Sequence, residues 1–257
     1  MLELCNISKT YQAGSVHETC LFNNFSLSIK KGDFVSVVGS NGSGKTSMLN
    51  IICGSIPIDS GDVIIANKKM NNVKEYKRYE HMGRVYQNPT MGTCPSMTIL
   101  ENMNMAYSKG KPFGLTWGTN KKLTSFFREQ LSILGLGLED KLSVLVGALS
   151  GGQRQAMALL MATMTPIDFL ILDEHTAALD PATAERIMIL TNEIVKQKKL
   201  TTLMVTHNLR YALEYGNRLL MLHEGNSIID VSNNDKIALT MDDLLYQFNT
   251  ISIECGN

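Results

Sequence analysis

Three kinds of hydrophobic pattern divide the chain. Near its start, short β-rich runs bounded by turn residues, Leu2 to Ile7, Leu21 to Ile29 and Phe34 to Val38, predict strands. Farther on, "FLIL" (Phe169 to Leu172) and "TLMV" (Thr202 to Val205) are apolar without alternation, the pattern of parallel strands covered on both faces. Between these two runs, Asp180 and Pro181 supply an N-cap and a first helical position, and Ile187, Leu190 and Ile194 recur at helical spacing. Strand, helix and strand in that order predict an α/β fold. The middle of the chain is different: 88–165 reads as helical and methionine-rich, interrupted by the loop "SKGKPFGLTWGTNKK" from Ser108 to Lys122. It is expected to form a helical subdomain inserted into an α/β core made of 1–87 and 166–257. Near the end, Arg218 to His223 and Ser227 to Val231 flank "EGN", a hairpin signal, and "TMDDLLYQF" predicts a closing helix.

Composition narrows the classes. A chain of 257 residues, 44% of them hydrophobic, can bury one sizeable core and a smaller unit beside it. Lys plus Arg equals Asp plus Glu at 24 each, and no long basic run marks a nucleic-acid surface or a membrane patch, so no nucleic-acid partner is expected. No apolar run approaches the roughly 18 residues that a membrane span needs. "MLELC" has the outline of a lipid-attachment box, but no basic start or apolar stretch precedes Cys5 and Glu3 interrupts it, so Cys5 reads as a strand residue. The five cysteines are scattered and form no C-x-x-C pair, which argues against a disulfide framework and a zinc site and for a reducing, cytoplasmic setting.

The strongest chemical signal is "VVGSNGSGKTS". Gly39, Ser40, Asn41, Gly42, Ser43, Gly44, Lys45, Thr46 and Ser47 follow one predicted strand and lead into the helical "SMLNII". Phosphate binding needs such an arrangement, because glycines let the backbone curl until consecutive amides and a helix N-terminus point at the anion. Lys45 is placed to neutralise the terminal phosphates and the Thr46 hydroxyl to hold Mg²⁺. A second part of such a site is an acid at the end of a buried strand, and "FLILDE" supplies two: Asp173 for the metal's shell and Glu174 to orient or deprotonate water.

Six elements in order over nearly the whole chain then resemble the ATP-binding cassette (ABC) family. Besides the phosphate loop and the acidic strand end, they are "LSGGQ" at Leu149 to Gln153, the glutamine Gln87 in "YQNP", "AALD" ending at Asp180, and the histidine His207 in "VTH". Tyr11 in "SKTYQ" matches the family's adenine-stacking aromatic position. The resemblance implies a P-loop NTPase (RecA-like) core with an N-terminal antiparallel β subdomain and the inserted helical subdomain. It implies ATP and Mg²⁺ as ligands, with Gln87 near the metal and His207 sensing the γ-phosphate. It further implies head-to-tail pairing with a second cassette, expected to be an identical copy. In such a pair Ser150, Gly151, Gly152 and Gln153 of one copy, with Asp180 nearby, face the ATP held by the other. A kinase of the same core would have no use for that signature.

The wording of "DEHTAALDP", "LTTLMVTHN", "YGNRLLMLHEG" and "LTMDDLLYQF" resembles bacterial cassettes that pair with an integral membrane permease and a substrate-binding lipoprotein of the tryptophan/tyrosine type. Import of an aromatic amino acid, from the cytoplasmic face of the membrane, is the expectation. A cassette of an exporter or lipoprotein-release complex, and a soluble ABC ATPase, remain alternatives. In "NPTMGTCPSMTILENMNMAY", Met91, Met97, Ile99, Leu100 and Met103 read either as core or as the surface that receives the permease. Two departures from the family stand out. "QRQAMALLMATM" replaces an arginine-bearing helix, with Met157, Leu160, Met161 and Met164 forming an apolar stripe. His175 stands where proline is usual, either as a turn residue or, beside Glu174, as a pH-sensitive group. His17, His81 and His223 carry no motif and read as surface or strand residues.

Overall fold

A computed structural model describes residues 1–111 and 121–254; residues 112–120, within the predicted Ser108 to Lys122 loop, lie outside them. The chain runs through β1 (Leu2–Tyr11), β2 (Thr19–Ile29), β3 (Phe34–Gly39), α1 (Lys45–Cys53), β4 (Ser60–Ile65), β5 (Lys68–Lys69), α2 (Glu75–Arg78) and β6 (Met82–Val85). There follow α3 (Ile99–Tyr107), α4 (Thr124–Ser132), α5 (Gly151–Thr163), β7 (Phe169–Asp173) and α6 (Pro181–Lys198). The chain ends with β8 (Thr201–Val205), α7 (Leu209–Glu214), β9 (Arg218–His223), β10 (Asn226–Ser232), α8 (Asn234–Ala238) and α9 (Met241–Glu254). Two compact units form, 1–79 with 199–257, and 80–198. No described helix is long and apolar enough to cross a membrane.

The first unit contains an antiparallel sheet in the order β2-β1-β4-β5. β1 continues to Tyr11, beyond the predicted Ile7, because bulges after Leu4, Ile7 and Lys9 keep a polar stretch in the ladder. Asp59 anchors that stretch, accepting from the Thr10 amide at 2.6 Å and from Lys9 Nζ at 3.0 Å. Those bonds hold the Asp59 carboxyl below its ordinary pKa, the Thr10 amide contributing most.

In the same unit β3 is buried at every residue and lies parallel to β8 on one side and β9 on the other. Its one polar side chain is satisfied, since the Ser36 hydroxyl donates to the Tyr215 carbonyl at 2.9 Å. β9 and β10 pair as the predicted hairpin around Glu224 and Gly225, with φ of 42° and 73°, the two positive values of a type I′ turn. The closing helix α9 starts with a Thr240–Asp243 capping pair and seats Leu244 among Val38, Ala212, Leu219 and Met221.

In the second unit β6 and β7 pair in parallel, Met82 opposite Phe169 and Val85 opposite Leu172. α5 is buried on every side from Gln155 to Met161, so the stripe of Met157, Leu160 and Met161 is part of a wholly enclosed segment. Met164 is only half-buried and forms the C-cap. β6 reaches α5 closely through Gly83, where a Cβ would lie 2.5 Å from the Ala162 carbonyl oxygen. Gln155 Nε2 donates to the Tyr86 carbonyl at 3.0 Å, and Lys198 Nζ to that of Thr163 at 2.5 Å. These ties draw β6, β7 and α6 into one unit with segment 88–165, so compactness divides the chain near 79 and 198.

Candidate functional site

In the first unit the site is built where β3 gives way to α1. Gly39 (φ 154°) ends the strand so close to β9 that a Cβ would lie 2.2 Å from the Leu222 carbonyl oxygen. Gly44 (φ 100°) starts the helix, where a Cβ would meet the Phe22 ring at 2.9 Å. Both positions therefore demand glycine, one for space and both for backbone conformation. The hairpin turn completes the seat: the Gly225 amide donates to the Ser43 carbonyl at 3.2 Å. The first turn of α1 has no side-chain cap and no acidic residue, which leaves its positive end for an anion.

Lys45 is buried and folds back onto the loop, donating from Nζ to the carbonyls of Gly39 and Ser40, both at 2.7 Å, and to Ser43 Oγ at 3.4 Å. Asn41, Gly42 and Thr46 are exposed, Ser40 and Ser47 half-buried. The Tyr11 hydroxyl donates to Ser47 Oγ at 3.2 Å, tethering the ring to the first turn of α1. His207 is exposed just past the end of β8, between buried Thr206 and Asn208, whose side chain caps α7. Since β3 and β8 are neighbouring parallel strands, the phosphate loop and His207 occupy the same end of the sheet.

The second unit repeats that geometry with acids. Gln87 follows the end of β6 and is exposed; Asp173 ends β7 and Glu174 comes next in left-handed backbone (φ 48°), both half-buried. Asp173 Oδ2 accepts from Arg84 at 2.7 Å, and the guanidinium lies 4.7 Å above the Tyr86 ring. His175 is buried and its Nε2 is 3.1 Å from Thr191 Oγ1. Burial pushes its pKa down from 6.5 to about 4, so the ring is neutral near pH 7 and the sequence-based idea of a pH-sensitive group beside Glu174 finds no support here.

Ser150 opens α5 with a capping box: its Oγ accepts from the Gln153 amide and Gln153 Oε1 accepts from the Ser150 amide, each at 3.2 Å. The Gln153 side chain thus serves the helix start itself. Gly152 is pressed against α6, where a Cβ would lie 2.3 Å from Thr183 Cγ2, and Thr183 is in turn bound to the capping carboxylate of Asp180. That carboxyl is held below its ordinary pKa, mainly by the Thr183 side chain and then by its amide. Of the five residues read either as core or as the surface that receives the permease, Ile99 and Met103 belong to the core, Met97 and Leu100 are half-buried, and Met91 is exposed. Cys5 lies in β1 as predicted, exposed His17 and His81 are surface residues, and His223 ends β9. Sequence reasoning missed Arg84; the available signal was a charged residue inside the four-residue strand "MGRV".

Residues 22–177, more than half of the chain, match the family described as ABC transporter. A tyrosine transport ATP-binding protein of Clostridioides difficile (strain R20291) is 44% identical over 248 residues, which cover 96% of this chain and 98% of that protein. A probable ABC transporter ATP-binding protein, PEB1C, of Campylobacter jejuni is 30% identical and covers 88% of each. Among solved structures, the dimeric post-hydrolysis state of the ATP-binding cassette MJ0796 bound to ADP and Pi superposes with a TM-score of 0.76 at 30% identity, over 90% of this chain and 98% of that one. The ADP conformation of the cassette MJ1267 reaches 0.80 at 26% identity, over 100% and 99%. The chain belongs to the ABC transporter family, as an ATP-binding and ATP-hydrolysing subunit with the P-loop fold of that family.

Proposed function

We propose that two copies of this chain close head to tail around two ATP molecules and drive a membrane permease that imports an aromatic amino acid. The observation that carries the transport reading is the match to the tyrosine transport ATP-binding protein, which runs over nearly the full length of both chains. Glycine-rich helix starts in both units support the shared ATP site: one at the phosphate loop, one at Ser150 to Gly152. In this reading the first receives a nucleotide in its own chain and the second faces the nucleotide of the partner.

Lys45, which donates to the carbonyls of Gly39 and Ser40, exchanges those contacts for the β- and γ-phosphates. The tether to Ser47 holds the Tyr11 ring for adenine. His207 and the partner copy's signature serine donate to the γ-phosphate, and Glu174 orients the attacking water. By residue type, Thr46, Gln87 and Asp173 would each offer an oxygen ligand suited to a hard divalent cation. Mg²⁺ would supply charge neutralisation at the β- and γ-phosphates.

The test is recovery of the tagged chain from detergent-solubilised native membranes, with partners identified by mass spectrometry. A multi-span permease and an extracytoplasmic lipoprotein whose thermal midpoint rises with tyrosine or tryptophan are the expected result. Recovery with soluble partners alone would replace transport by another ATP-driven task.

A further inference from the structure

β6 is four residues long, and one of them, Arg84, is charged. Its side chain is 7% exposed, its guanidinium stacks on Tyr86, and its terminal nitrogen bonds Asp173 Oδ2 at 2.7 Å. A buried guanidinium is costly without an anion beside it, and Asp173 is that anion. With Asp173 in the metal's shell, nucleotide binding would bring a second cation to the same carboxylate. Two cations that share one half-buried carboxylate repel each other, and each weakens the other's hold.

We propose that Arg84 is a positioning residue that acts as the resident counter-ion of Asp173: it holds the carboxylate through Oδ2 before metal arrives and disfavours Mg²⁺ that comes without nucleotide. The triphosphate offsets the charge of both cations, so Mg²⁺ is retained when it arrives with ATP. This inference rests on the assignment of Asp173 to the metal's shell.

The test compares affinity for a fluorescent ATP analogue in excess EDTA and in saturating Mg²⁺, the ratio giving the metal's contribution. Arg84→Gln keeps a donor for Asp173 without the charge and should raise the ratio by about tenfold or more. Arg84→Lys keeps the charge and should stay within about twofold of the wild type, by the same reasoning. Asp173→Asn serves as the control for the underlying assignment: a lower ratio supports the carboxylate's place in the metal shell, an unchanged one removes it. With that control met, a Gln-variant ratio at or below the wild-type value, or equal ratios for the Gln and Lys variants, overturns the counter-ion role. A further readout needs no change at Arg84. Mn²⁺ titrated into the nucleotide-free wild-type chain and followed by electron paramagnetic resonance should reveal no site that Asp173→Asn abolishes, and such a site would also overturn the proposal.

Discussion

The two glycine-rich helix starts look alike in sequence and differ in what their glycines do. At the phosphate loop Gly39, Gly42 and Gly44 all have positive φ, and the backbone itself is bent into the binding shape. At the signature neither Gly151 nor Gly152 has a positive φ; they are ordinary first-turn residues of α5, and Gly152 is small because Thr183 is there. The first start has no side-chain cap, whereas the second has a reciprocal one from Ser150 and Gln153. One loop is a cradle that only glycine can form; the other is a conventional helix N-terminus held flush against the Asp180 turn. The same residue type thus serves conformation in one unit and access in the other.

The largest effect should come from the cradle. Lys45→Ala removes the donor to Gly39, Ser40 and Ser43 and, in the proposed site, the counter-charge of the phosphate. Affinity of the isolated chain for ATP, measured by titration calorimetry, should fall about 100-fold or more, the scale of a charged hydrogen-bonding group lost from a buried site. Retention of wild-type affinity would mean that the loop's backbone amides suffice and that Lys45 is structural.

The signature should respond in another currency. Gly152→Ala forces a methyl into Thr183, which the Asp180 cap holds in place, and so displaces the helix start, whereas the phosphate loop belongs to the other unit. Nucleotide affinity of the isolated chain should stay within about twofold of the wild type, while steady-state turnover drops about 10- to 100-fold, as for a donor lost from transition-state stabilisation. Equal losses in both measurements would break the comparison, because the two glycine loops would then be serving a single nucleotide within one chain.

Much of this was legible in the sequence for a physical reason. β7 and β8 are buried on both faces and their runs Phe169 to Leu172 and Leu203 to Val205 are unbroken, while β3 is interrupted only by Ser36; the phosphate loop, the acidic strand end and His207 follow these strands, and the signature opens a helix with its own local signal. β1 was read too short because the "SKTY" part of the strand is polar and bulged, and its anchor, Asp59, is 49 residues from Thr10. Arg84 escaped notice because its partner lies 89 residues away, and a charge in a short strand does not say which acid it meets. The enclosure of α5 was hidden for the converse reason: Gln153, Arg154 and Gln155 suggest a polar face, yet Gln155 is buried and spans to the Tyr86 carbonyl.

The smallest effect, and the one that asks whether the acidic strand end is insulated from its surroundings, should come from His175. The Thr191 hydroxyl donates to the Ile187 carbonyl at 2.7 Å, so Nε2 of the neutral ring is the donor to Thr191 Oγ1. With a folded pKa near 4 against 6.5, the unfolded chain takes up the proton first as pH falls. The contribution to stability is therefore full above pH 6.5, declines as pH drops toward 4, and is constant below that. At pH 5.5 the loss relative to pH 8 should be about 1 kcal/mol, read as the narrowing between urea unfolding curves of the wild type and His175→Gln. Parallel pH dependence in the two proteins would show that the ring titrates alike folded and unfolded. Turnover should carry no step from this residue, because the folded ring stays neutral from pH 8 down to 5.5. A kinetic pKa between 6 and 7 that vanished in His175→Gln would put the histidine into the chemistry of Glu174 and end its reading as a structural donor behind β7.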